Sequence, residues 1–214
     1  MHSATRGRPS DPSKDRAILE AGRTLLFESG PQAVTMEAAA RLAGIAKPTL
    51  YRRYANRNAL LAAIALNESE RMAGRFRLTP ASADDLRRAL VDFGCDLTRF
   101  MISREHVHFI HALGASTGLA QESRESIFRN GPMAMRDRLA EWLRRADEHG
   151  LLDIADPVEC AERLLGSLMG LELVRMLYRV SPSGGAEAVE RRVQSIVDDF
   201  LELYLAGRRR RSTA

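Results

Sequence analysis

Apolar residues return at spacings of three and four along nearly the whole chain, the period that lines one face of an α-helix. The pattern predicts a first helix over 13–29, then two short ones over 36–43 and 47–54. A fourth, over 58–76, is broken by Leu78-Thr79-Pro80-Ala81-Ser82. The next, over 84–102, carries Leu86, Leu90, Phe93, Leu97, Phe100 and Met101 on one face. Helices over 105–113 and 122–129 follow, then one over 132–149 with Met135, Leu139, Trp142 and Leu143 inward. Asp156-Pro157 joins a capping side chain to a first-turn proline and opens a helix running to about 180. Beyond the loop from Ser181 to Gly185, a last helix spans 187–205. No stretch alternates with period two over β-branched residues, so the fold class is all-α.

The stretch from Thr35 to Leu61 carries chemistry as well as structure. Thr35 precedes a helix-favouring run, and its hydroxyl can cap that helix's free amides. Gly44 supplies the left-handed position that ends a helix without a Cβ penalty, and Ile45 is expected as a buried pin. Pro48 suits the first turn of the next helix. There Leu50 faces inward, while Thr49, Tyr51, Arg52 and Arg53 present hydroxyls and guanidinium groups outward. Small residues at a close crossing, a glycine turn and a polar, basic second helix make a helix-turn-helix that fits the major groove.

Thr35, Ala43-Gly44-Ile45, Pro48-Thr49-Leu50-Tyr51, Tyr54, Asn56-Arg57 and Leu60-Leu61 together resemble the DNA-binding domain of the TetR family of bacterial transcriptional regulators. The upstream run from Arg16 to Gly30 is similar too. The likeness is motif-specific over roughly the first quarter of the chain; beyond that it is one of size and helical layout. Two positions depart from the pattern: Ala46 stands where a Ser cap is common, and Ala39 where a larger aliphatic residue is common. The resemblance implies a double-stranded DNA operator as partner, phosphate-contacting or supporting roles for Tyr51, Tyr54 and Arg57, and a homodimer. Lys47 and Thr49, at the front of the recognition helix, are placed to reach base edges, with Arg52 and Arg53 on the backbone and the amides capped by Thr35 facing a phosphate. The expected organisation is a basic arm and three-helix DNA-binding domain over 1–57, a helical ligand-binding and dimerisation domain over 58–207, and a basic tail over 208–214.

Charge sharpens this picture. Residues 1–60 hold ten Lys/Arg against five Asp/Glu, whereas 61–207 hold eighteen against twenty-three. The basic portion coincides with the motif, as an electrostatic DNA footprint requires. Arg6-Gly7-Arg8-Pro9 resembles the core of AT-hook peptides, and Arg6 and Arg8 can follow a narrow minor groove; a basic tail of no specific role is the alternative. No apolar run is long enough for a transmembrane helix and no signal-peptide core opens the chain, so no membrane association and a cytoplasmic location are expected. Cys95 and Cys160, isolated in apolar-patterned helices, read as buried reduced thiols.

The C-terminal helices suggest pairing. From Leu164 to Tyr178 only Ser167, Glu172 and Arg175 are clearly polar, and such a helix needs cover on more than one side. Gly166 and Gly170 permit close approach of another helix, and Val193, Ile196, Val197 and Phe200 form a wide stripe. These six are the candidate dimer interface; the core of a monomer is the alternative. Phe93, Phe100, Phe109, Met135, Trp142, Met169 and Leu173 are candidate lining of an apolar effector pocket, or equally filled core. Glu172 and Arg175, at i,i+3, make either a structural ion pair or a ligand-reading one.

Enzyme signatures are missing. Among His106, His108 and His111, the first two point about 200° apart on a helix, and the last two lack a third ligand, so neither a metal site nor a cofactor is expected. The reading is a homodimeric regulator, a repressor released from an inverted-repeat operator by a small, largely hydrophobic effector. The alternatives are a ligand-independent DNA-binding or architectural protein, and a helical interaction module without DNA function.

Overall fold

A computed structural model describes residues 12–181 and 184–206. Its regular elements are helical: α1 (Pro12–Ser29), α2 (Met36–Leu42), α3 (Lys47–Arg53), α4 (Arg57–Met72), α5 (Ala83–Met101), α6 (Arg104–Ala115), α7 (Gln121–Phe128), α8 (Ala134–Glu148), α9 (Pro157–Met169), α10 (Glu172–Leu177) and α11 (Ala186–Tyr204). The chain is all-α, with a helix-turn-helix at its N-terminal end. Most bounds lie within a few residues of the expected ones, because the caps are where the sequence puts them. Thr35, Asn56, Ser82, Ser103 and Asp156 each accept a backbone amide at a helix start.

Three stretches differ. The helix expected over 156–180 is two helices, because Gly170 takes φ 48° and ends α9. Arg192 then donates to the Leu168 carbonyl, one of the acceptors left over at that end. The fourth helix gives way after Met72 to a 3-10 turn over Ala73–Arg77. Between α7 and α8 the chain stays helical but widens into a π-type turn, Arg129–Met133, around Pro132.

Two apolar clusters form the interior. The first joins Ile18, Leu26 and Phe27 of α1, Met36, Ala39 and Ala40 of α2, Leu50 of α3 and Leu60, Leu61 and Ile64 of α4. It also takes in Phe109 of α6 and Ile127 of α7. Thus α4 is a wall common to the DNA-binding helices and the larger bundle. The second joins Leu86, Leu90 and Phe93 of α5, Leu139, Trp142 and Leu143 of α8, Leu164 and Leu168 of α9 and Val193 and Val197 of α11. A Cβ on Gly94 would come within 2.6 Å of Val193 and 2.9 Å of Leu168, so glycine sets the closeness of that crossing. Trp142 donates its indole N–H to the Leu78 carbonyl at 2.8 Å, and Arg145 donates to the Phe76 carbonyl at 2.6 Å. Both pin the turn after α4 onto α8.

This packing corrects the expected dimer interface. Val193 and Val197 are 0 % exposed and Phe200 5 %, all within the chain's own core. The stripe on α11 faces α5 and α9 rather than outward. Gly170 is a helix terminator instead of a close-approach position. Of the six, Gly166, Ile196 and the buried Phe200 border an outer groove between α9 and α11, with Arg163, Ser167, Asp199 and Leu203. Leu203 at this groove is exposed, as are Leu171, Leu177 and Tyr178 in and around α10.

Candidate DNA-binding face and the cavity beneath it

The turn of the motif is built by backbone bonds that its residues dictate. Thr35 Oγ1 accepts the Ala38 amide at 3.0 Å. At the other end of α2, the Ile45 amide bonds the Ala40 carbonyl at 3.0 Å and the Gly44 amide bonds Arg41 at 3.2 Å. This paired closure needs the left-handed φ of 65° that Gly44 adopts. Ile45 is half-buried rather than a buried pin. Ala46 caps α3 without any side-chain bond, as its lack of a hydroxyl dictates. Leu50 anchors α3, which leaves Lys47, Pro48, Tyr51 and Arg52 exposed and Thr49 half-exposed on the far side.

Two arginines do not stand outward. Arg53 is ion-paired with Asp15 of α1, and its side chain is only 10 % exposed. It ties the recognition helix to α1, so its placement on the outward face is corrected. Arg57 donates Nε to the Val34 carbonyl at 2.7 Å and a terminal nitrogen to Pro31 at 2.6 Å. Its guanidinium straps α4 to the turn before α2, and burial draws its pKa below the ordinary value. Tyr54 is half-buried beside this pair; burial, helped by the Asp15 carboxylate, raises its phenol. Glu37 was not foreseen in this face. Its carboxylate lies 3.4 Å from Lys47 Nζ, and its pKa is lowered by its own backbone N–H at the start of α2 and then by Lys47. An acidic residue two places after a helix cap was the available signal. Arg6 and Arg8 lie outside the described residues.

Directly behind the motif lies a cavity of about 180 Å³. Its walls are Leu26 and Phe27 of α1, Ile64, Ala65 and Met72 of α4, Leu97 and Phe100 of α5, Phe109 of α6, and residues of the π-type turn, α8 and α9. Of the expected lining, Phe100, Phe109, Met135 and Met169 are present. Phe93 and Trp142 are instead filled core, their rings tilted against Phe76 at 4.7 and 5.0 Å between centroids, because the turn after α4 folds back over them. Leu173 is 39 % exposed, because α10 turns Glu172 and Met176 inward and Leu173 outward. The α1 and α4 walls were missed, because their apolar residues already satisfy the periodicity of an ordinary core. Glu68 lies at the rim, its carboxylate accepting from Arg23 at 2.8 Å.

The histidines separate as their helical angles require. His108 is exposed, and His111 Nε2 bonds the Met176 carbonyl at 2.6 Å, linking α6 to α10. His106 is buried. No group of three potential metal ligands occurs among the described residues. Glu172 is buried and reaches both Arg175 and Arg192, at 3.7 and 3.6 Å, so it serves a structural cluster. Cys95 and Cys160 are free and buried, and burial pushes the Cys160 thiol up to about 11. Among the described residues no helix is long and apolar enough to cross a membrane.

A helix-turn-helix with an exposed basic second helix, seated on a helical bundle, defines a DNA-binding regulator. Residues 18–64 match the model of the tetR family of bacterial regulatory proteins. Residues 88–206 match the C-terminal domain of AefR-like transcriptional repressors. That second match spans more than half of the chain, and the chain belongs to the TetR family of bacterial transcriptional regulators, which are not enzymes. It is 29 % identical over 152 residues to the uncharacterized HTH-type transcriptional regulator YdeS of Bacillus subtilis (strain 168), which is 70 % of this chain and 74 % of that one. A TetR transcriptional regulator from Agrobacterium tumefaciens shares the fold with a TM-score of 0.70 and 23 % identity, over 91 % of this chain and 96 % of that one. The flavonoid-responsive regulator FrrA aligns with a TM-score of 0.64 and 27 % identity, over 91 % and 98 %.

Proposed function

We propose that this regulator is a homodimeric repressor that leaves an inverted-repeat operator when a small, largely hydrophobic effector occupies the cavity behind its DNA-binding helices. The observation that carries this is the shared wall. Ile64, Ala65 and Met72 of α4 face the cavity, while Arg57 at the start of the same helix is strapped to the turn before α2. Ligand pockets commonly measure about 300–1,000 Å³. An effector of that size needs more than the about 180 Å³ present. It therefore has to push the walls apart, and α4 is the wall that carries the recognition helix. The turn after α4 is held on α8 by Trp142 and Arg145, so displacement of α4 is passed toward the DNA. A complete switch from 1:99 to 99:1 requires about 5.5 kcal/mol of preference for the released state. A similar relative, FrrA, is a flavonoid-responsive regulator, which fits an apolar, aromatic-lined site.

Residues up to about 57 form the DNA-binding unit in this reading, and the remainder the effector and dimer unit, acting in the cytoplasm. Lys47 and Thr49 read base edges, Pro48 presents the start of the recognition helix, and Thr35, Tyr51, Tyr54 and Arg52 contact or support the backbone. Dimerisation uses the outer groove of α9 and α11, around Gly166, Ile196 and Leu203. Site selection from random duplexes, followed by fluorescence anisotropy with a panel of hydrophobic compounds, is the test. The expected result is a two-fold operator whose complex dissociates with compounds that also raise Tm. An operator complex indifferent to every compound that binds would favour a ligand-independent DNA-binding protein.

A further inference from the structure

The cavity is almost wholly apolar, yet a polar group without a partner is buried behind three of its lining rings. His106 is 8 % exposed, and among the described residues neither ring nitrogen meets a hydrogen-bond partner. A buried polar group left unsatisfied costs about 1–3 kcal/mol, and such groups are few in native proteins. Three aromatic rings cage the imidazole: Phe100 at 4.5 Å, Phe109 at 6.0 Å and Phe27 at 6.4 Å between centroids. All three also line the cavity. Of the three, Phe100 is nearest and only half-buried, so it is the ring that has to turn aside for a cavity occupant to meet the imidazole.

We infer that His106 is the hydrogen-bonding recognition group of the effector site, and that the effector presents to it a hydroxyl carried on an aromatic ring. The inference rests on the cavity being the effector site. Three features select the class. The about 180 Å³ already takes one aromatic ring, since an apolar cavity of about 150 Å³ holds benzene, so the ring enters first and the rest of the effector spreads the walls. Phenylalanine rings and methionine sulfurs favour an aromatic occupant over an aliphatic one. A neutral imidazole is at once donor and acceptor, as a hydroxyl is; His106 is neutral at pH 7, with burial lowering its pKa to about 4. Acidic ligands are disfavoured, because the ionisable group at the rim is the Glu68 carboxylate and its neighbour Arg23 is already engaged with it.

The test compares 4-ethylphenol with ethylbenzene, which lacks only the hydroxyl, on the full-length protein. Affinities come from calorimetry, and the ring nitrogens of His106 are followed by long-range ¹H–¹⁵N correlation. We expect 4-ethylphenol to bind at least about tenfold more tightly and to move the His106 nitrogen shifts, with ethylbenzene leaving them in place. His106→Phe should abolish the preference while ethylbenzene still binds, and His106→Gln, which keeps a donor and an acceptor, should retain part of it. Circular dichroism confirms that each variant is folded. Equal affinities with unmoved His106 signals overturn the assignment and leave the cavity reading standing. Failure of both compounds to bind overturns the two together.

Discussion

Arg57 distinguishes two ways of using a basic residue beside DNA. In the structure its guanidinium makes two bonds to neutral carbonyls, at 2.6 Å to Pro31 and 2.7 Å to Val34. Arg57→Gln removes both, because an amide on a shorter stem cannot reproduce the fork. Bonds with one charged partner contribute about 1.5–3 kcal/mol each. The desolvation that lowers the Arg57 pKa offsets part of that sum. A net loss of about 2–3 kcal/mol follows, a fraction of the about 5–15 kcal/mol that holds a typical domain together. The variant should therefore fold but melt lower, by about 2–4 °C for each kcal/mol. With the strap gone, the start of α4 no longer positions the motif, so affinity should fall for every DNA sequence alike. The salt dependence is the decisive observable. A phosphate contact contributes about 0.9 to the slope of log K against log salt. A strap contributes nothing. Melting curves together with anisotropy titrations at four salt concentrations measure both quantities. A slope shallower by about 0.9, with Tm unchanged, would refute the strap and make Arg57 a phosphate ligand.

Three further outcomes are expected. His106 has its pKa lowered from 6.5 to about 4 by burial, so the unfolded chain binds the proton first as pH falls. The stability held above pH 6.5 is lost between there and pH 4, by about 3 kcal/mol, and His106→Phe should flatten that part of the curve in urea titrations; a slope identical to the parent would show the ring is solvated. Leu203→Glu, at a position 61 % exposed beside the α9–α11 groove, should yield folded monomers by light scattering, whereas Phe200→Glu should unfold the protein, because Phe200 lies in the core. Dimers persisting in Leu203→Glu would move the interface elsewhere. Lys47→Ala and Glu37→Gln should each alter which sequences emerge from site selection, since the two side chains meet at the front of the recognition helix; unaltered selections would make them a solvated surface pair.

What the sequence revealed and concealed has a common physical origin. Helix starts are local events, settled by a side chain a few residues from an amide, so the caps Thr35 and Asp156 could be read directly. The Gly44 turn is equally local. Which neighbour an apolar stripe meets is not local. Val193 and Val197 show the periodicity that an interface or a core requires, and only the path of α5 across α11 decides between them. The same holds for Phe93 and Trp142, which a folded-back turn converts from pocket lining to packing. Gly170 was read as a close-approach glycine, although its positive φ stops the helix, because composition alone does not separate those uses. Arg53 is expected on the outward face and Arg57 in a phosphate-contacting or supporting role, yet Asp15 and two carbonyls, distant in sequence, claim them. The cavity was the least legible feature, since seven of its sixteen lining residues come from α1 and α4, whose apolar stripes look like ordinary core.

The coupling of that cavity to the recognition helices is the central claim, and the distance between the two helices in the dimer tests it most directly. Spin labels at Arg52→Cys sit on an exposed position, and Cys95 and Cys160 are buried. Pulsed dipolar spectroscopy on the operator complex should give one narrow separation, near one helical turn of about 34–36 Å or a multiple of it. Saturating the cavity with a compound that raises Tm should shift that separation by several ångströms in free dimers and dissociate the operator. A separation that stays the same at saturation, with operator affinity intact, would contradict the account.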